Sequence, residues 1–254
     1  VTSATSLLHR LADRISAASS VTVLTGAGVS AASGVPTFRG AGGLWKEYRA
    51  EELATPGAFA RDPRLVWEWY DWRRGIIAGC RPNRAHEVLA AWSRRLPGFA
   101  LLTQNVDGLH ERAGTRAMTR LHGSIWTLRC ARGCGHAPAG WPDDSVPLVP
   151  LPPRCPGCGG LARPGVVWFG ESLRHDDWAA AERAAACDVF LAVGTSAVVH
   201  PAAGLVLRAG GLGAFVAEIN PDATDASAVV DVHLAMNADD ALPALEDLLG
   251  SDPE

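Results

Sequence analysis

Short apolar runs recur along the chain at Val21–Thr25, 100–103, Val189–Val193 and 214–219. None alternates with polar residues, so each reads as a strand buried on both faces. Elsewhere the apolar positions shift to helical spacing, over 85–95, 177–186 and 202–208, with a closing helix over 238–249. Near the N-terminus, Leu7, Leu8, Leu11 and Ile15 fall on one face of an amphipathic helix. Buried strands alternating with helices predict an α/β fold, a parallel sheet covered by helices on both sides.

Two stretches break this rhythm. Residues 37–82 are rich in arginine and aromatics, with Trp45, Trp67, Trp69, Tyr70 and Trp72, and residues 129–163 are rich in Gly, Pro and Cys. Both read as insertions that combine into a smaller domain, 37–82 as a helical module and 129–163 as a metal module. The large domain is then 1–36, 83–128 and 164–254, and 254 residues suffice for both. Hydrophobic residues at 48% and charged residues at 20% are ordinary for a globular chain. A net charge of -4 supplies no basic field, which argues against nucleic acid or a membrane surface as partner. No run approaches the roughly 18 apolar residues of a membrane span. The N-terminal segment lacks the basic start and apolar core of a secretory signal. A cytoplasmic monomer is the expectation.

Val21–Thr25 runs directly into Gly26-Ala27-Gly28-Val29-Ser30. A strand, a glycine turn and a helix together hold a pyrophosphate: the backbone approaches closely and the helix N-terminus offers N–H groups. Ala31 stands at the third glycine position of G-x-G-x-x-G, an allowed replacement. Taken alone, such a turn also occurs with no ligand. The cysteines are more specific. Cys130 and Cys134 are spaced by three residues, Cys155 and Cys158 by two, and 20 residues separate the pairs. Four thiolates so spaced close a tetrahedral zinc site with no open position, hence a structural metal. His136 is an alternative to Cys134, because the three-residue spacing is the less common one.

The glycine turn continues as Ser30-Ala31-Ala32-Ser33-Gly34-Val35-Pro36-Thr37-Phe38-Arg39-Gly40. Further blocks follow in order: Gln104-Asn105-Val106-Asp107-Gly108-Leu109-His110, Leu121-His122-Gly123-Ser124, Val166-Val167-Trp168-Phe169-Gly170-Glu171, Gly194-Thr195-Ser196 and Asn220-Pro221. Together they resemble the sirtuin family over about residues 5–250. The resemblance implies a Rossmann-like doubly wound parallel sheet and a smaller domain made of a helical module and a zinc-binding module. It implies NAD as co-substrate in the cleft between them, one structural zinc ion, and acylated-lysine proteins or peptides as substrates. In that family the acyl oxygen attacks the nicotinamide ribose, and a histidine then activates a ribose hydroxyl.

His122, after a strand that ends at Leu121, matches that catalytic histidine, and an imidazole titrating near 6.5 suits the task. By motif position, Gly26, Ala27, Gly28, Ser30, Thr37, Phe38 and Arg39 fall to the cofactor. So do Gln104, Asn105 and Asp107, then Gly194, Thr195, Ser196, Asn220 and Ala238. Val166, Val167, Trp168 and Phe169 resemble the edge that receives substrate backbone as an added strand. His110 reads as structural. Gly165 departs from the family, which often has histidine there. Thr37 replaces an aspartate common in deacetylases.

Tyr70 and Arg73 lie three apart on a helix and share a face. A phenol beside a guanidinium binds a carboxylate through charge-assisted hydrogen bonds. Ala54 is small and leaves room. This trio, with Gly40-Ala41-Gly42-Gly43 and Ala54-Thr55-Pro56, resembles the acidic-acyl-selective sirtuins, which implies removal of succinyl or malonyl groups and weaker removal of acetyl. A mono-ADP-ribosyltransferase is the rival enzyme. A non-catalytic NAD-binding module is the rival from another class, disfavoured by His122, Asn105 and Asp107 occurring together.

Overall fold

The computed structural model describes residues 3–36, 44–45, 48–196 and 198–250. Helix α1 (Ala4–Ser16), capped by the Ser3 hydroxyl on the Ser6 N–H, leads into strand β1 (Val21–Thr25). A 3₁₀ helix follows over Ala27–Ser33 and stops at Gly34, whose φ of 85° is left-handed. The sequence predicts an α-helix here; the Val29 carbonyl, an acceptor within that turn, instead takes a 2.9 Å bond from the Asn83 side chain. Next come the short ribbon β2 (Leu44–Trp45) and β3 (Tyr48–Arg49), then helices α2 (Ala50–Leu53), α3 (Pro56–Arg61) and α4 (Pro63–Gly79). Then follow α5 (Arg84–Arg95), β4 (Phe99–Thr103), α6 (Leu109–Arg112), β5 (Met118–Arg120), β6 (Gly123–Cys130), β7 (Trp141–Pro142) and β8 (Ala162–Val166). The chain closes through α7 (His175–Ala184), β9 (Val189–Val193), α8 (Gly204–Gly211), β10 (Phe215–Ile219), β11 (Val232–Leu234) and α9 (Ala238–Gly250).

Six strands form one sheet in the order β11-β10-β9-β1-β4-β5, every pair parallel. From β1 the chain moves outward one way through β4 and β5, then returns to β9 and moves outward the other way. All five positions of β1 and of β9 are buried, as their unbroken apolar runs require. Alternate residues face opposite sides. Val21, Val23, Leu101 and Leu191 meet α1, α5 and α9 in one core, while Leu24, Leu102, Phe190 and Ala192 meet α7 and α8 in another.

A third core lies outside the sheet. It joins Trp67, Trp69, Tyr70 and Ile77 of α4 to Ile125 and Leu128 of β6, Ala162 and Val166 of β8, and Trp168. α4 starts well because Pro63 sits in its first turn and the Asp62 carboxylate accepts the Leu65 N–H. β7, β6 and β8 form a three-stranded antiparallel sheet. The module boundaries expected at 128/129 and 163/164 fall inside β6 and β8. Gly165, where the family often has histidine, has no room for a side chain: a Cβ would lie 2.7 Å from Thr127 Cβ. Among the described residues, no helix is long and apolar enough to cross a membrane.

Candidate functional site

β1 and β9 are neighbours whose chains leave in opposite directions along the sheet. A crevice opens at the carboxyl ends of such strands. There the two loops touch through bare backbone. Gly28 N–H donates to Gly194 O at 2.8 Å, and a Cβ on Gly28 would lie 2.7 Å from Gly194 Cα. A Cβ on Gly26 would lie 2.8 Å from Gly194 O, and one on Gly194 would lie 2.5 Å from Val29 N. These glycines are required by contact. The result is a floor bare of side chains at three positions, the kind of surface a pyrophosphate approaches.

A cleft of about 850 Å³ rises from this floor, between the large sheet and the smaller domain. Its lining includes Gly26, Ala27, Gly28, Gln104, Asn105 and His122, then Gly194, Thr195, Ser196 and Asn220. The far wall carries Ala54, Tyr70, Arg73, Val167, Trp168 and Phe169. Two bonds tie the large-sheet half together: Gln104 Nε2 donates to Thr195 Oγ1 (2.9 Å), and Asn220 Nδ2 donates to Thr195 O (3.2 Å).

His122 stands between the two halves. Its Nδ1 lies 3.0 Å from the Gln104 carbonyl, an acceptor, so Nδ1 carries the proton and Nε2 is the basic nitrogen. Burial lowers its pKa, and the Gln104 carbonyl opposes this in part. The ring is therefore a neutral base at physiological pH. The His122 main-chain carbonyl accepts from Val167 N–H (2.9 Å), and Phe169 N–H donates to Ala54 O (2.9 Å). These two bonds fasten the 167–169 segment between His122 and Ala54, the residue that ends α2.

Other expected site residues lie elsewhere. Ser30 and Asp107 are buried under the cleft. The Ser30 hydroxyl donates to Asp107 Oδ2 (2.9 Å) and accepts from Asn105 Nδ2 (3.2 Å). Asp107 also accepts the Leu109 N–H, and burial pushes its carboxyl up. Asp107 borders a small recess with Arg73 and Asn105. Val166 packs in the small-domain core, and Ala238 is buried in the sheet core at the start of α9. Neither is brought to the cleft. Thr37, Phe38 and Arg39, with Gly40 to Gly43, lie outside the described residues. His110 is buried, with Nε2 3.0 Å from Thr25 Oγ1 and its ring 4.9 Å from that of His86.

Sequence reasoning missed part of the wall: Glu171, 198–201 and 223–225 also line the cleft. Thr224 and Ser227 both donate hydroxyl bonds to the fully buried Glu218, which pins the 224–227 turn there. The Thr-x-x-Ser capping pattern at 224–227 was the available signal.

On the smaller-domain side of the cleft, Tyr70 and Arg73 are both buried. Tyr70 Oη accepts the Trp168 indole N–H at 2.9 Å. Burial raises the Tyr70 pKa far above the ordinary phenol range, and burial lowers that of Arg73. α4 is anchored from behind. Asp71 Oδ1 accepts the Leu148 N–H (2.7 Å). Arg74, fully buried, donates to Asp143 Oδ1 (2.7 Å) and to the Asp143 carbonyl (2.6 Å).

The metal module brings Cys130, Cys134, Cys155 and Cys158 together, with all four Sγ atoms within 4.8 Å of one another. Cys130–Cys158 and Cys134–Cys155 are each 3.6 Å apart, far beyond the S–S distance of about 2.05 Å in a disulfide. Four sulfurs about 2.3 Å from a tetrahedral zinc ion stand about 3.8 Å from each other. The donor set fits zinc, and His136 is not part of it.

The fold and crevice define a doubly wound, dinucleotide-binding type of α/β protein with a four-cysteine small domain. Residues 26–201 match the Sir2 family model, and the chain belongs to this family. It is 50% identical over 230 residues to an NAD-dependent protein deacylase of Aquifex aeolicus, covering 90% of this chain and 95% of that one. It is 49% identical over 236 residues to NAD-dependent protein deacylase 2 of Pyrobaculum aerophilum, covering 92% and 93%. The solved structure of a Sir2 homologue in complex with NAD superposes with a TM-score of 0.87 at 44% identity, covering 95% of this chain and 94% of that one.

Proposed function

We propose that this protein removes acidic acyl groups, succinyl or malonyl, from protein lysines, and acetyl groups more weakly. As an NAD-dependent protein deacylase of the Sir2 family it would release nicotinamide and O-acyl-ADP-ribose. NAD supplies the electrophilic ribose carbon and the hydroxyls that take the acyl group. The chain supplies position, proton handling and selectivity. The bare loops at Gly26, Gly28 and Gly194 would hold the pyrophosphate. Gln104, Ser196 and Asn220 would hold the sugars and the adenine half. Asn105 and Asp107 would face the nicotinamide end. His122 Nε2 takes a proton from a ribose hydroxyl, while Nδ1–H stays on the Gln104 carbonyl and fixes the ring. The 167–169 segment would pair with substrate backbone and leave little dependence on the surrounding peptide sequence.

One observation carries the acidic-acyl reading: Ala54, Tyr70 and Arg73 lie together on the cleft wall, with the phenol and guanidinium both buried. A carboxylate entering there gains charge-assisted bonds, each worth on the order of 1.5–3 kcal/mol. An acetyl group offers no such acceptor. The test compares acetyl-, malonyl-, succinyl- and glutaryl-lysine forms of one peptide with NAD, the nucleotide product being read by mass spectrometry. We expect kcat/KM for succinyl or malonyl to exceed that for acetyl by about tenfold or more. An acetyl substrate that reacts fastest would refute the selectivity. ADP-ribose attached to protein, with no acyl-ADP-ribose, would refute deacylation.

A further inference from the structure

Trp168 belongs to the segment assigned above to substrate backbone. Its side chain points to a separate task. The indole nitrogen is a donor only, so the 2.9 Å contact with Tyr70 Oη has one possible direction: Trp168 N–H donates and the phenol oxygen accepts. A phenol has one proton of its own, and that proton cannot lie on the indole side. Among the described residues nothing accepts it, while Tyr70 lines the cleft. The indole is itself held in place. Arg163 lies over the ring, 3.6 Å from its centroid, and Phe59 packs with centroids 5.2 Å apart. Glu171 accepts the Trp168 main-chain N–H (2.9 Å) and clamps Arg163 through two bonds of 2.6 and 2.8 Å.

We infer that Trp168 is a specificity-determining residue that acts through Tyr70, its indole N–H fixing the phenol rotor so that the O–H is presented to the carboxylate of an acidic acyl chain. This rests on the acidic-acyl reading of the pocket. The burial that raises the Tyr70 pKa keeps the phenol protonated, and hence a donor. Donation into the phenol oxygen also polarises its O–H, which strengthens the bond passed on to the substrate. An acetyl group carries no acceptor at that depth, so the same rotor gives it nothing. Trp168 is thus a positioning residue, whose signature is the ratio of succinyl to acetyl turnover.

The test uses the full zinc-loaded chain with saturating NAD and one peptide carrying succinyl- or acetyl-lysine. Trp168→Phe, Tyr70→Phe and the double variant are compared through the ratio of the two kcat/KM values, so that any loss common to both substrates cancels. Benzothienylalanine at position 168, which keeps the indole shape with sulfur in place of N–H, decides the question if Trp168→Phe folds poorly. We expect the ratio to fall about tenfold for either change at 168, and no further fall when Trp168→Phe is added to Tyr70→Phe. A wild-type ratio retained at 168 while Tyr70→Phe loses it would overturn the link and leave the pocket assignment standing. A wild-type protein without succinyl preference, with Tyr70→Phe lowering both substrates equally, would take down both.

Discussion

Two imidazoles lie against each other under the cleft. His86 and His110 are both buried, their ring centroids 4.9 Å apart. Burial brings His86 down to about 4, and burial together with the facing His86 brings His110 down to about 3. In the unfolded chain both titrate near 6.5. Over the interval between, the unfolded chain binds a proton at each ring and the folded chain does not, so acid favours unfolding. The loss begins as pH falls through about 6.5 and grows down to about 4 for His86 and about 3 for His110. By about pH 5 each ring costs roughly 2 kcal/mol relative to neutral-to-alkaline solution, roughly 4 kcal/mol together. The slope there is about 2.7 kcal/mol per pH unit, against a typical domain stability of about 5–15 kcal/mol. Asp107 works the other way, since burial raises its pKa and the folded state holds that proton more readily. We expect His110→Gln to halve the histidine slope, to about 1.4 kcal/mol per pH unit. The assay is urea unfolding of the zinc-loaded chain at a series of pH values from about 7 to about 5, in which metal release and the carboxylates contribute alike to both proteins. Equal slopes in the variant and the wild type would show that His110 is not held neutral.

Two further outcomes follow from the same structure. The lowered pKa of His122 places the acidic limb of kcat/KM below pH 6.5, because the base stays unprotonated into mild acid; a limb centred above 6.5 would contradict its buried, Gln104-bound placement. Asp143→Ala leaves the fully buried Arg74 guanidinium with a main-chain carbonyl as its one hydrogen-bond acceptor among the described residues, beside the Trp126 ring, and should cost on the order of 3 kcal/mol, read as a lower thermal midpoint; an unchanged midpoint would mean that this ion pair does not hold α4.

Much of the large domain was legible because its strands are buried on both faces. β1 and β9 coincide with their apolar runs, and β10 and β4 differ by a residue at one end. Helix ends were less legible: α7 spans His175–Ala184 where the pattern suggests 177–186, since frayed ends leave little mark on periodicity. β5 and β11, of three residues each, have too few positions for a period to show. In the site, the strand-end groups were legible from motif and spacing: Gly26 and Gly28, Gln104, His122, and Gly194 to Ser196. Pairings between distant segments were not. Arg74 with Asp143, Arg163 with Glu171 and Trp168 with Tyr70 depend on how separate elements meet, and no local pattern encodes that. Glu218 escaped for a related reason: a carboxylate inside an apolar strand reads as an exception until Thr224 and Ser227 are seen to satisfy it.

β6 starts next to His122 and ends on Cys130, while β8 runs back from the cysteine knuckles to Val166, beside the 167–169 segment of the cleft wall. The β6–β8 pair is thus a spar with its sulfur-bearing tip away from the cleft and its root at it. Changes in the loops at the tip can alter the protein's outline without disturbing the root, so long as the four thiolates keep their clasp. With that clasp open, the outer end of the ladder is left untied, while its inner end stays fastened at His122 and Val167, where the two halves of the cleft meet. Metal loss in such a molecule would be felt at the cysteine end before it is felt at the cleft.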